Sequence, residues 1–284
     1  MADYNRPNVK TQALFIDDVE VTATAAELNT MAGVTSTVAE INVLDGATAT
    51  AAEISSLDFG SKSTMATDFH GDLIDGSMLL IKGEGGGTAN AVAVVAGEGG
   101  NLSITTSSAD DASIANSGSG ISGQNLNWRA DSGGLVAECM LQIDDITNAM
   151  IFFGFTDAIA STVEAPIFLV AADIDSDATN ACGILYDTDG TTEEWCHGGV
   201  KADTDTVPAF SGTAPVNATD VTLRVEVSAL GGVRGFIDGV AIGVEVAAAV
   251  TITTPLVPVI FVTNRDAAAR VVLVDYLYVQ SNRR

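Results

Sequence analysis

The side chains most able to do chemistry in this chain are its clustered acids and its few thiols and imidazoles. Asp173-x-Asp175-x-Asp177 and Asp187-Thr-Asp189-Gly190 hold carboxylates at the alternating spacing with which a loop wraps a hard cation such as calcium. Neither run completes the EF-hand pattern, because the Gly and the terminal Glu are misplaced. Solvated turn acids are therefore the favoured reading and no cofactor is expected, structural calcium being the alternative. Glycoside hydrolysis needs two carboxyl groups about 5 Å apart on one face in a retaining enzyme. Glu193 and Glu194 are adjacent, so in an extended chain they point to opposite faces. The same geometry separates Cys196 from His197, which cannot share a proton from neighbouring strand positions. His70 has no partner identifiable from sequence. The three cysteines, Cys139, Cys182 and Cys196, are an odd count with no C-x-x-C. That argues against zinc and against a disulfide framework, with a Cys182–Cys196 bridge across a hairpin as the alternative.

The elements that would position these groups are strands. Val136 to Ile143, Met150 to Phe155, Ile167 to Ala171, Gly183 to Tyr186, Val221 to Val227, Val233 to Ile237, Val240 to Val244, Leu256 to Val262 and Arg270 to Val279 are apolar or alternating runs of strand length. Val221-Thr-Leu223-Arg-Val225-Glu-Val227 alternates cleanly, which predicts one wet face and one buried face. Asp238-Gly239 between two such runs is the pair a two-residue hairpin turn requires. Upstream, Met78 to Lys82, Ala91 to Ala96 and Leu102 to Thr106 are shorter strand candidates among Gly-rich stretches. Many strands separated by frequent turns predict an all-β sandwich or jelly roll over residues 70–284, entered through a linker at 60–69.

Ahead of the sandwich, one short sentence is written three times. Thr22-Ala-Thr24-Ala-Ala-Glu27-Leu28-Asn29-Thr-Met31-Ala-Gly33 is followed by Thr35-Ser-Thr37-Val-Ala-Glu40-Ile41-Asn42-Val-Leu44-Asp-Gly46 and by Thr48-Ala-Thr50-Ala-Ala-Glu53-Ile54-Ser55-Ser-Leu57, with the three Glu each 13 apart. Thr and Glu three residues apart form a capping box, and Gly33 and Gly46 fit the left-handed position that ends a helix. Residues 22–59 thus read as three short capped helical turns. Turns this short are unstable alone and must lean on a partner or on each other. Residues 1–21 read as an extended arm with one hydrophobic anchor, Leu14, Phe15 and Ile16. Together with Leu28, Met31, Ile41, Leu44, Ile54 and Leu57, these are the candidate partner-interface residues.

The repeat resembles one that recurs in structural proteins of tailed bacteriophages, including capsid decoration proteins and fibres. The turns of 221–244 resemble the meander of concanavalin-like jelly rolls. Gly154-Phe-Thr-Asp157, Tyr186-Asp187-Thr-Asp189, Leu223-Arg-Val-Glu226, Phe236-Ile-Asp-Gly239 and Asn264-Arg-Asp-Ala-Ala-Ala-Arg270 with Asp275-Tyr276 look like the β-sandwich of many phage virion proteins. Glucanases of the jelly-roll fold carry a Glu-x-Asp-x-x-Glu run, which this chain lacks. The resemblance implies a non-enzymatic virion protein on the outer capsid surface. Its partners would be the major capsid protein and itself, as a homotrimer. A fibre whose sandwich binds host glycans is the alternative.

Charge sets the remaining limits. With 37 acids against 12 bases, a formal charge of −25 over 284 residues disfavours any site that tracks a phosphate backbone. No apolar run reaches the roughly 20 residues of a membrane helix, and the first residues lack the apolar segment of a secretory signal. Neither nucleic acid nor membrane is expected as a partner.

Overall fold

The structure is a computed structural model that describes residues 14–16, 19–21, 62–69, 74, 79–82, 91–95, 100–108, 119–123, 128–158 and 165–282. The strands, in chain order, are β1 (Leu14–Ile16), β2 (Val19–Val21), β3 (Lys62–Thr67), β4 (Leu79–Lys82), β5 (Ala91–Val95), β6 (Asn101–Thr105), β7 (Ser119–Gly123), β8 (Leu135–Ile143), β9 (Ala149–Thr156) and β10 (Ile167–Val170). They continue with β11 (Asp173–Ser176), β12 (Asn180–Asp187), β13 (Cys196–Lys201), β14 (Ala209–Phe210), β15 (Asp220–Val227), β16 (Val233–Ile237), β17 (Val240–Ala241), β18 (Val257–Asn264) and β19 (Val271–Asn282). Among the described residues the only helical element is a 3-10 turn at Ala130–Ser132.

The chain divides into two units, residues 1–57 and 58–284. In the first, β1 pairs antiparallel with β2, Leu14 opposite Val21 and Ile16 opposite Val19. The expected extended arm is therefore a hairpin at this point. Val19-Glu-Val21 supplies the backbone partners that a lone strand would leave to water. The rest of the arm and the three capped turns, with Leu28, Met31, Ile41, Leu44, Ile54 and Leu57, lie outside the described residues.

The second unit is a sandwich of two antiparallel sheets. One has the order β14-β13-β12-β9-β18-β7-β4 and the other β17-β16-β15-β8-β19-β6-β5. The second sheet gains β3, which pairs with the C-terminal half of β19 while β6 pairs with its N-terminal half. An irregularity between Val274 and Tyr276 separates the two halves and lets one long strand serve two neighbours. Residues 60–69, expected as a linker, thus contain a strand of the sheet. Met65 is its buried side chain between exposed Thr64 and Ala66.

Alternation explains the main core. In β15, Leu223, Val225 and Val227 are buried, and they meet Ile151, Phe153 and Phe155 of β9 and Ile260 and Val262 of β18 between the sheets. Asp238 and Gly239 both take positive φ, 48° and 78°, which gives the predicted tight turn between β16 and β17. Glycine is needed where strands crowd. A Cβ on Gly154 would lie 2.2 Å from the Cys182 carbonyl oxygen, and one on Gly183 would lie 2.3 Å from that of Phe153.

Candidate functional site

The outer face of the β14-to-β4 sheet is covered where β13, β12, β9 and β18 run side by side. Cross-strand pairing lines up Cys196, Leu185, Phe152 and Phe261 in one row. These residues form a second apolar cluster with Met150 and Val259, all within 1% of full burial. The cover is the β10–β11 hairpin, which contributes Ile167, Leu169 and Ile174. The acids of Asp173-Ile-Asp175 alternate with the one apolar side chain that points into this cluster: Ile174 is 5% exposed while both Asp are exposed. The segment weighed as a cation loop is a strand with a wet acidic face.

Asp187 fastens this cover. It ends β12 fully buried, and its Oδ2 accepts a hydrogen bond from the backbone N–H of Leu169 in β10 at 2.9 Å. Arg265, just after β18, donates from Nε to Oδ1 at 2.8 Å and from Nη2 to Oδ2 at 2.5 Å. The Asp189 N–H adds a further bond to Oδ1 at 3.1 Å, and the Asp189 carboxylate lies 3.2 Å from Arg265 Nη1. A carboxylate so engaged joins β12, β10 and the β18–β19 loop and has no oxygen left for a cation. Among the described residues no three His, Cys, Asp or Glu side chains converge as a metal site requires.

Other acids and bases of the singled-out motifs have similar structural work. Asp157 accepts from the backbone and side-chain N–H of Asn180, and Asp238 accepts from the Thr222 N–H at 2.9 Å. Arg270, 3% exposed, donates to the Thr147 carbonyl at 2.9 and 2.5 Å and to Asp266 at 3.0 Å. The two arginines of Asn264-Arg-Asp-Ala-Ala-Ala-Arg270 therefore pin their loop to the end of β12 and to the β8–β9 loop.

The sulfur and imidazole candidates separate as strand geometry requires. Cys196 faces the covered outer cluster, while His197 points the other way, its Cβ within reach of Gly235 between the sheets. His197 is fully buried, with Nε2 3.0 Å from the Val244 carbonyl and no partner for Nδ1. Burial holds its pKa below the ordinary imidazole value. Cys182 belongs to the inter-sheet core, so it and Cys196 lie on opposite faces. All three cysteines are free and buried, and burial pushes the Cys182 and Cys196 thiols up to about 12. His70 lies outside the described residues.

The outer face of the other sheet is open and polar. A cross-strand row runs Tyr278, Glu138, Arg224, Phe236. Tyr276 donates to Glu138 at 2.8 Å, Arg224 pairs with Glu226, and the Arg224 guanidinium sits 5.3 Å from the centre of the Phe236 ring. Within residues 62–282 every described Phe, Tyr and Trp is at least partly buried, Trp128 and Trp195 to 8% and 1% exposure. Among the described side chains of residues 62–282 no aromatic ring is fully exposed, and Phe236, Tyr276 and Tyr278 on this face are half-buried. Among the described residues no helix is long and apolar enough to cross a membrane.

Leu14, Phe15 and Ile16 fall in β1. No sequence signal identified Asp187–Arg265, which joins positions 78 apart.

No protein-family model and no curated protein sequence matches the chain. Solved structures do. A protein of unknown function from Shewanella oneidensis MR-1 superimposes with a TM-score of 0.53 at 12% identity, covering 92% of this chain and 95% of that one. The cellulose induced protein Cip1 gives 0.51 at 9% identity over 76% of this chain and 96% of its own. The Emp47p carbohydrate recognition domain gives 0.51 at 11% identity over 80% and 99%. Likeness at such identities is likeness of fold, and the fold is an all-β, concanavalin-like jelly-roll sandwich.

Proposed function

We propose that this chain is a non-enzymatic structural protein of a tailed-bacteriophage virion. In this reading it is a capsid decoration or cement protein: residues 1–59 attach it to the major capsid protein, and the sandwich is displayed on the outer capsid surface as a homotrimer. The observation that carries the reading is a coincidence of boundaries. The division between the two units, at Leu57 and Asp58, falls where the third 13-residue repeat ends. An attachment segment and a displayed domain are separable parts in such a protein. The covered outer face and the fully engaged Asp187 support the non-enzymatic part of the reading, since the one fully buried acid of the Asp173–Asp189 set serves the architecture. No cofactor is needed.

The competing reading is a tail or head fibre whose sandwich binds host-surface glycans. It draws on the fold shared with a carbohydrate recognition domain; that no described aromatic ring of residues 62–282 is fully exposed weighs against it.

Deleting residues 1–58 tests the leading reading. A truncated chain that keeps its β-sheet circular dichroism and cooperative melting but no longer binds capsids is the expected outcome. Unchanged capsid binding by the truncated chain would overturn it.

A further inference from the structure

Five strands lie at the margins of the two sandwich sheets among the described residues, and four of them are defended against pairing with another chain. β14 and β17 are two residues long, and β14 follows Pro208. β4 ends on Lys82 and β3 begins on Lys62. Short edges, prolines and lysines are the usual means by which proteins keep a row of free N–H and C=O groups from recruiting a partner. β5 has none of them. It is five residues of Ala91-Val-Ala-Val-Val95, pairs with β6 in unbroken register, and carries no charge, proline or irregularity. Among the described residues no strand pairs with its other side. Ala91, Ala93 and Val95 are exposed, Val95 to 44%.

We infer that β5 is a docking edge for the β5 strand of a second copy, the two running antiparallel about a twofold axis at Ala93. The sequence is self-complementary in that arrangement. Centring on Ala93 sets Val92 opposite Val94 on the buried side. On the open side it sets Ala91 opposite Val95 and Ala93 opposite Ala93, so each row holds small apolar pairs without a clash. Charge selects the occupant: in a chain of net −25, two copies approach most easily through a strand bearing no charge. A pairing of five residues a side is far below the roughly 1,200 Å² of a stable interface, so it is weak in dilute solution. It becomes effective where copies are held close together, because linked sites bind at an effective concentration in the millimolar range. The inference concerns contacts between copies and stands apart from attachment through residues 1–59.

Sedimentation equilibrium on the full chain from micromolar to millimolar concentration tests it. The weight-average mass is expected to rise across the series toward twice its dilute value. Ala93→Lys, at an exposed position where two lysines would face each other across the axis, should abolish the rise while leaving the melting temperature in place. Val240→Lys, on the two-residue edge β17, should leave the rise intact. Amide hydrogen exchange gives a second readout: β5 amides not bonded to β6 should slow with concentration in the wild type and not in Ala93→Lys. A mass constant across the series, or an equal rise in Ala93→Lys, would overturn the proposal.

Discussion

Arg265 and Asp187 meet through two guanidinium nitrogens, Nε and Nη2, and both carboxylate oxygens, with side chains 3% and 0% exposed. This pair is the fastening between the sheet and the hairpin that covers it. Removing one partner of a buried pair leaves an uncompensated charge and costs about 3–5 kcal/mol. Arg265→Ala should therefore lower the thermal midpoint by roughly 6–20 °C for a domain of this size. Asp189→Asn removes only the half-exposed outer partner of Arg265 and should change stability by less than about 1 kcal/mol. Calorimetry on the two variants separates a fastening from a surface ion pair.

The glycine row makes a second prediction. Gly154 and Gly183 sit opposite each other in β9 and β12, and a Cβ on either would press into a neighbouring backbone carbonyl at 2.2 or 2.3 Å. Backbone cannot yield as a flexible side chain can. Gly154→Ala and Gly183→Ala should each cost about 3 kcal/mol or abolish soluble expression, the upper end for overpacking. Urea denaturation of the soluble fraction measures the loss.

Acid should reveal His197. Its folded pKa lies below the ordinary 6.5, chiefly through desolvation, so the unfolded chain takes up a proton that the folded chain rejects. Stability falls as pH drops below 6.5 and levels off once the lower folded value is passed. Denaturation midpoints measured between pH 7.5 and 4.5 should decline for the wild type and decline less for His197→Gln.

Alkali should reveal the thiols. With Cys182 and Cys196 raised from 9.0 to about 12, the thiolate fraction at pH 8 is about a thousandfold smaller than for a free thiol. Ellman's reagent should leave these cysteines untouched in the native protein and modify all three after denaturation. Because the folded values are raised, the stability linked to protonated thiols is complete below pH 9 and is lost as pH climbs toward 12.

The parts of this fold legible in sequence are those with a local cause. Val221 to Val227 alternates and is β15; Asp238-Gly239 needs two positive φ values and has them. β7, Ser119-Gly-Ile-Ser-Gly123, reads as a spacer, yet it lies between β18 and β4. Its glycines are there because Gly120 approaches the Ile260 carbonyl too closely for any Cβ. β11, Asp173-Ile-Asp-Ser176, reads as a cation loop because its acids face water and only Ile174 faces the core. β13, Cys-His-Gly-Gly-Val-Lys201, is hidden by small side chains for the same reason of crowding. Nothing local foretells that Asp187 and Arg265 will meet, since long-range pairing depends on the sheet order that brings β12 and β18 on either side of β9. The proposed attachment residues Leu28 to Leu57 were read from the repeat and lie outside the described residues.

Co-sedimentation of the full-length protein with assembled shells of the major capsid protein, with light scattering of the free protein beside it, bears most directly on the account. A trimer in solution that pellets with the shells, and fails to bind host cells or glycans, is the predicted result. A protein that stays in the supernatant with shells but binds cells or glycans would contradict attachment to the capsid and favour the fibre.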